Sequence, residues 1–196
     1  MLTRRSFLAA SSCFAAFPAR AEGWAQKLVD AAQHQIGRTV IYDPAYVRLD
    51  YPGGDVAIER GVCTDVVIRA YRRGLNVDLQ QLVHEDMARN FAAYPQSWGL
   101  ERPDSNIDHR RVPNLRVFFK RKGAALAVGG LAEDYRPGDL VTMKLPGNLP
   151  HFAIVSHDMS DDGSRPMVVH NIGAGARLED VLFAFEVTGH YRFSGA

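Results

Sequence analysis

Three residues of this sequence have the types and positions that nucleophilic acyl chemistry needs. Cys63 follows Gly61-Val62 at the predicted start of a helix, where free backbone N–H groups and the helix dipole favour a thiolate over a thiol. The same N–H groups can stabilise the oxyanion that forms when a thiolate attacks an acyl carbon. Such a nucleophile works with a base that a third group orients, and His151 and His170 are the candidates for these two roles.

The predicted secondary structure brings these three side chains to one place. A helix is predicted over residues 63–73, because its apolar positions recur at helical spacing. His151 begins a predicted strand that continues through 152–156, and His170 ends the next predicted strand, 167–170. Two histidines on adjacent antiparallel strands can lie side by side on one face of a sheet. We therefore expect both imidazoles to reach the start of a helix that packs against this sheet edge.

The remaining pattern predicts helices first and strands second. Helical spacing indicates further helices over 24–36, 79–87 and 112–122, whereas residues after Pro137 alternate with the period of strands, notably at 140–143 and 186–193. This order is typical of an α+β fold in which N-terminal helices pack on an antiparallel sheet. No repeat or linker divides the chain, so residues 22–196 are predicted to form one domain.

The first 21 residues resemble an export signal. Thr3-Arg4-Arg5-Ser6-Phe7-Leu8 is a twin-arginine pattern, an apolar run follows it, and Ala19-Arg20-Ala21 supplies small residues for cleavage. A lipid-modified Cys13 is the alternative, but Ala10-Ser11-Ser12 lacks the bulky residue expected before such a cysteine. We predict a periplasmic or secreted mature protein that begins near Glu22 and keeps no stable membrane span.

Charge and cysteine content narrow the possible functions. After removal of the signal, 20 basic residues stand against 22 acidic ones, which does not suggest a nucleic-acid-binding surface. Cys63 is then the single cysteine, so no internal disulfide can form and a reactive thiol has to be considered. The sequence contains neither zinc-ligand spacing nor a phosphate-binding glycine loop, and we predict no metal and no cofactor.

The order of these motifs resembles the NlpC/P60 cell-wall peptidases of the papain-like superfamily. The resemblance rests on the helix that begins with Cys63 and on Pro137-Gly138-Asp139-Leu140-Val141, His151-Phe152-Ala153-Ile154-Val155 and Val168-Val169-His170. It implies a papain-like fold in which Cys63 is the nucleophile, His151 the base and His170 the third polar residue. Those enzymes commonly place a tyrosine near the oxyanion about twelve residues before the cysteine, which implies this role for Tyr51.

The mature chain is also similar to the DUF1287 family over residues 24–193. The shared stretches are Tyr42–Tyr46, Gly61–Val67, Asn106–Arg111, Pro146–His151 and His170–Gly173. The DUF1287 resemblance implies a fold and a site rather than a substrate. With the export signal and the Cys-His-His arrangement, our hypothesis is an exported cysteine amidase or peptidase that hydrolyses an amide bond in a peptidoglycan-type envelope peptide. A papain-like acyltransferase and a non-catalytic envelope-binding module remain alternatives.

Three other residues are candidates for the site. Asn171 competes with His170 for the third position, because Cys-His-Asn arrangements occur in papain-like enzymes and only one of two successive strand residues faces the site. His109 and Arg110 belong to a polar cluster before a predicted helix. Since arginine binds carboxylates through two hydrogen bonds, this cluster is a candidate for binding a substrate carboxylate. The alternative is a solvated turn that caps the helix.

Overall fold

The computed structural model describes residues 19–195, in which four helices pack against one face of an antiparallel sheet. The helices of this region are α1 (Ala19–Gln33), α2 (Cys63–Leu75), α3 (Leu79–Asn90) and α4 (Val112–Arg121). Its strands are β1 (Ile41–Tyr42), β2 (Arg60–Gly61), β3 (Ala125–Leu126), β4 (Leu140–Leu145), β5 (Leu149–Met159), β6 (Pro166–His170), β7 (Arg177–Glu179) and β8 (Glu186–Tyr191). The predicted α+β fold is confirmed.

The two strands that carry the predicted histidines are neighbours in the sheet: His151 lies on β5 and His170 on β6. Its order is β3-β8-β4-β5-β6-β7, and neighbouring strands are antiparallel. The short strands β1 and β2 form a separate parallel pair in which Tyr42 lies opposite Gly61. This pair brings the loop between α1 and α2 back to the residues that precede Cys63.

The two faces of the sheet bury different apolar residues. Phe152 and Ile154 of β5 belong to the main core, which includes residues of all four helices. Ala153 and Val155 point to the other face, where a smaller core contains Tyr135. Successive strand residues alternate between faces, so β5 is buried on both sides. Each buried apolar side chain contributes on the order of 1.5–3 kcal/mol to folding, which fixes the position of this strand.

The predicted elements agree with the structure except for the shortest strands. Helix α2 begins at Cys63, as the sequence predicts, and the observed ends of the other predicted helices and strands lie within a few residues of the expected ones. Strands β1, β2, β3 and β7 have only two or three residues each and were not predicted. Arg69 of α2 is buried although it is charged.

Part of the predicted export signal lies outside the described residues. Arg4, Arg5 and Cys13 belong to residues 1–18, of which the structure describes nothing, and α1 begins at Ala19 within the predicted cleavage site. Within residues 19–195, no helix has the length and apolar character required to cross a membrane.

Candidate active site

The Cys63 side chain lies where α2 begins and where β5 passes beside it. The backbone N–H groups of Cys63, Thr64 and Phe152 lie close enough to its sulfur to lower the pKa of the thiol. The first residue of β5 that pairs with β6 is Ile154, which lies opposite Val169. Phe152 comes two residues earlier and has no partner on β6, so its N–H is available to the sulfur. Because Phe152 directly follows His151, this contact places the backbone of His151 next to the nucleophile candidate.

Burial makes the resting thiol neutral, contrary to the thiolate expected from the helix start. Cys63 is only 4% exposed, and this burial raises the pKa of the thiol to about 12. The N–H group of Phe152 lowers the pKa and the charge of Asp65 raises it, but both effects are smaller than that of burial. The free-energy cost of burying a thiolate away from water is therefore larger than its stabilisation by the helix start.

The two predicted histidines are in direct contact. His151 Nε2 and His170 Nδ1 are 2.8 Å apart, and the planes of the two rings are inclined by 71°. Both side chains are almost fully buried, at 2% and 1% exposure. Burial, with a smaller effect of the neighbouring His170, lowers the pKa of His151 to about 3. His151 is therefore neutral at physiological pH, and its Nδ1 makes no hydrogen bond to any residue that the structure describes.

A carboxylate that the sequence analysis missed completes this chain of contacts. Glu179 Oε2 on β7 lies 2.8 Å from His170 Nε2. Burial lowers the pKa of His170, whereas the hydrogen bond with Glu179 acts in the opposite direction. Across the described part of the chain, no group of three or more His, Cys, Asp and Glu side chains is placed to hold a metal ion. His151, His170 and Glu179 are connected by hydrogen bonds instead.

Asn171 does not share the position of His170. Its side-chain amide donates a hydrogen bond of 3.0 Å to the carbonyl of Gly61, two residues before Cys63. The following residues extend this connection, since Ala176 donates its N–H to the carbonyl of Thr39. Asn171 therefore holds the loop before α2 against the end of β6, and His170 alone contacts the imidazole of His151.

Tyr42, rather than Tyr51, is the tyrosine beside Cys63. Tyr51 contacts the His84 ring of α3 with ring centroids 4.9 Å apart. Burial raises the pKa of Tyr42, and nearby Cys63 and Asp65 raise it further. The Tyr42 hydroxyl is thus close enough to Cys63 for their charges to interact, which makes it a candidate donor to an oxyanion.

Arg110 and His109 are buried in the protein and do not face solvent. Arg110 donates to both carboxylate oxygens of Asp65, at 2.9 and 3.0 Å, and to the carbonyls of Asp43 and Ala45. His109 is 2% exposed, and burial lowers its pKa to about 3. Burial keeps both side chains from solvent, and the guanidinium of Arg110 is already paired with Asp65. Arg110 instead compensates the negative charge of Asp65 and fixes the loop that carries Tyr42.

A second buried arginine fixes the same loop from the middle of α2. Arg69 pairs with Asp55 at 2.8 Å and donates to the carbonyls of Val56, Ala57 and Arg60. Buried carbonyls require donors, and a guanidinium with five N–H groups can serve several of them. The segment before Cys63 is therefore held by Arg69 from one side and by Arg110 from the other.

A shallow groove follows this fixed loop. It has a volume of about 280 Å³, and its lining includes the charged residues Asp43, Arg48, Asp55 and Arg60. Asp43 directly follows Tyr42 and forms an ion pair with Arg60 at 2.9 Å. The lining of the groove therefore includes Asp43, the residue that follows Tyr42 in the sequence, and charged residues of both signs.

Known proteins resemble this chain to different extents. The family model described as "Domain of unknown function (DUF1287)" matches residues 29–193. A protein of Escherichia coli (strain K12), described as "Uncharacterized protein YijF", is 58% identical over 166 residues, which cover 85% of this chain and 80% of that protein. The solved structure of NlpC1 from Trichomonas vaginalis aligns with a TM-score of 0.44 and 14% sequence identity.

The extent of these matches differs. The alignment with NlpC1 covers 85% of this chain but only 44% of that protein, so the chain spans less than half of its length. The family model, in contrast, covers most of the described chain, including every residue from Cys63 to Glu179. The family predicted from the sequence motifs is confirmed: the chain belongs to the DUF1287 family.

Proposed function

We propose that this protein is an exported cysteine amidase or peptidase that hydrolyses an amide bond of a peptidoglycan-type envelope peptide. One observation carries the proposal: a buried thiol lies at a helix start close to the N–H of Phe152, and the preceding residue, His151, is hydrogen-bonded to His170. A nucleophile, a base and a group that orients the base are the components of covalent acyl hydrolysis.

In the proposed reaction, the Cys63 sulfur attacks the carbonyl carbon of the amide while its proton passes to Nδ1 of His151. The resulting imidazolium is stabilised through Nε2, which donates to His170. The tetrahedral intermediate collapses as His151 gives the proton to the departing amine, leaving a thioester on Cys63. Water then attacks the thioester, His151 accepts its proton, and the acid is released with the free thiol restored.

The raised pKa of Cys63 means that the nucleophile is a protonated thiol before the reaction begins. With the thiol pKa at about 12 and that of His151 at about 3, the resting pair is neutral rather than an ion pair. Proton transfer then accompanies attack on the substrate, as in general-base catalysis by neutral histidine. The N–H groups of Cys63, Thr64 and Phe152, which lie near the sulfur, and the Tyr42 hydroxyl are the candidate donors to the oxyanion.

The substrate class rests on the resemblance to NlpC/P60 peptidases and on the groove. Asp43 and Asp55 are already paired with arginines, so Arg48 is the charged lining residue that forms no ion pair in the described part of the chain and can bind a peptide carboxylate. Mass spectrometry after reaction with a panel of muropeptides tests the proposal, comparing the natural protein with Cys63→Ser. We expect new amine and acid products only with the natural protein, and equal product formation by Cys63→Ser would contradict it.

Export through the twin-arginine route is part of the same proposal. Fractionation of cells that produce the full chain is expected to recover a shortened form, lacking about the first 21 residues, outside the cytoplasm. Replacing both Arg4 and Arg5 with lysine should retain the uncut chain inside. An uncut, cytoplasmic natural chain would contradict this part without bearing on the chemistry of Cys63.

A non-catalytic envelope-binding module is the second candidate, and the burial of Cys63 favours it. A thiol that is 4% exposed, with a pKa of about 12, is typical of an inert cysteine. This function predicts that intact peptidoglycan fragments bind without conversion and that Cys63→Ala binds them as well as the natural protein does. The muropeptide products described above separate the two candidates.

A further inference from the structure

The proposed reaction gives no role to Glu179, whose carboxylate contacts His170. In the register of β6 and β7, Glu179 lies opposite Val168, and His170 lies opposite Arg177. Glu179 and His170 therefore share a sheet face, where their side chains meet at 2.8 Å. Among residues 19–195, Glu179 forms no ion pair with lysine or arginine, so its charge is directed at the imidazole of His170.

The contacts fix the position of each proton in turn. A carboxylate is only an acceptor, so His170 must carry its proton on Nε2, which faces Glu179. A neutral His170 then has a lone pair on Nδ1, and His151 must donate to it from Nε2. A neutral His151 with its proton on Nε2 has a lone pair on Nδ1, the ring nitrogen without another hydrogen bond. One carboxylate thus determines the tautomers of two histidines.

We propose that Glu179 is a positioning residue that sets the tautomers of His170 and His151, so that His151 presents a proton-accepting nitrogen. This inference rests on the proposed function for its catalytic consequence, whereas the tautomers themselves do not depend on any activity. When His151 takes the proton of Cys63, the same chain of contacts places a negative charge on the far side of His170. Glu179 therefore also opposes the cost of forming an imidazolium in a buried site.

Loss of the carboxylate releases this constraint. Without Glu179, His170 can carry its proton on Nδ1, and His151 must then accept through Nε2 and carry its own proton on Nδ1. An N–H at that nitrogen cannot accept a proton from the thiol. We expect Glu179→Ala to lower kcat by about 10- to 100-fold with little change in KM, as is usual for residues that orient a catalytic or ligating histidine.

The experiment combines nitrogen NMR with kinetics. Spectra of the ¹⁵N-histidine-labelled protein distinguish the two tautomers, and the His170 signals are assigned by their disappearance in His170→Gln. Glu186→Ala is the matched control, because it also removes a glutamate from a sheet strand but one that pairs with Lys144 on the surface. Thermal unfolding of each variant checks that it folds.

The proposal predicts that the natural protein and Glu186→Ala show His170 protonated on Nε2 and unprotonated on Nδ1. Glu179→Ala should gain the other tautomer and lose kcat, while Glu186→Ala keeps both. A natural protein with His170 protonated on Nδ1 would overturn the inference even if the variant does not fold. Unchanged tautomers and kcat in folded Glu179→Ala would overturn it as well. Absence of amide hydrolysis by the natural protein would instead contradict the proposed function and leave the NMR result to decide the tautomers.

Discussion

Two buried histidine clusters lie on the same sheet, and their hydrogen bonds differ in one respect. In the first, His151 and His170 contact each other and Glu179, and Nδ1 of His151 has no hydrogen-bond partner in the described structure. In the second, His190 on β8 contacts the Asp139 carboxylate at 2.8 Å and the Ala127 carbonyl at 3.1 Å. Both nitrogens of His190 therefore have hydrogen-bond partners within the fold.

The carboxylates of the two clusters also differ in how many partners they have within the fold. Asp139 is fully buried and is also bound by Arg192, at 2.6 and 2.8 Å, and by the Arg136 N–H. Glu179 is one-third exposed and has only His170 as an ionic partner in the described region. A cluster whose donors and acceptors are all paired stabilises a fold, whereas one with a free acceptor can move a proton. The comparison predicts that the first cluster controls activity and the second controls stability.

The largest expected effect is on activity, in the first cluster. His151→Gln removes the proton-accepting nitrogen, and we expect kcat/KM for amide hydrolysis to fall by roughly 10³-fold. His157→Gln is the matched control, since it makes the same change on the same strand at a half-exposed position. Steady-state kinetics of both variants provide the measurement, and equal rates for the two would break the distinction between the clusters.

The second prediction concerns stability and the second cluster. Burial alone would raise the pKa of Asp139, but hydrogen bonds from His190 and Arg192 lower it below its ordinary value. A lowered carboxyl pKa adds stability above the unfolded-state pKa, and this contribution is lost as pH falls through the folded-state pKa. Asp139→Asn removes it and leaves two buried donors poorly paired, so we expect a loss of about 3–5 kcal/mol in the free energy of unfolding at neutral pH.

Urea denaturation of Asp139→Asn and of the natural protein measures this loss. The kcat of the folded fraction should change by less than about threefold, because Asp139 contacts no residue of the first cluster. A variant that unfolds at the same urea concentration as the natural protein would show that the cluster does not stabilise the fold.

The third prediction is the pH dependence of activity. Because burial lowers the pKa of His151 to about 3, His151 remains neutral and able to accept a proton when the solution is mildly acidic. We expect kcat/KM to stay nearly constant between about pH 8 and pH 5 and to decline only at lower pH. An acidic decline centred at the ordinary histidine value of 6.5 would contradict a buried, neutral His151. Circular dichroism at each pH separates loss of activity from loss of structure.

The smallest expected effect concerns the two tyrosines. If the Tyr42 hydroxyl donates to the oxyanion, Tyr42→Phe should lower kcat by about tenfold, less than loss of a backbone donor would. Tyr51→Phe is the control, and its kcat should remain within about twofold because Tyr51 packs against His84 instead. Equal effects of the two substitutions would show that Tyr42 has no special role.

The sequence predicted the elements that have a long periodic pattern and the residues placed at their ends. Cys63 at the start of α2, and His151 and His170 on adjacent strands, follow from helical spacing and strand alternation. Glu179 was missed because β7 has three residues and follows a glycine-containing turn, which leaves no periodic signal. The pairing of Tyr42 with Gly61 was missed for the same reason, since β1 and β2 have two residues each.

The electrostatics of the site were not predictable from position alone. A helix start lowers the pKa of an accessible thiol, but the sequence does not reveal that the Cys63 thiol is buried. Likewise, arginine is usually a surface residue, and nothing in the sequence indicates that Arg69 and Arg110 are buried. Both side chains are buried and donate to carbonyls of the loop before Cys63, and these contacts form only once the chain is folded.

Acid quenching during muropeptide turnover, followed by peptide mapping by mass spectrometry, tests the central claim most directly. The account predicts that the natural protein carries an acyl group, with the mass of the carboxyl side of the cleaved amide, on the peptide that contains Cys63. Peptide mapping distinguishes this site from Cys13, and Cys63→Ala should show neither the acyl group nor amine release. Amine release by Cys63→Ala at the rate of the natural protein, with no acylated peptide in either, would contradict the account.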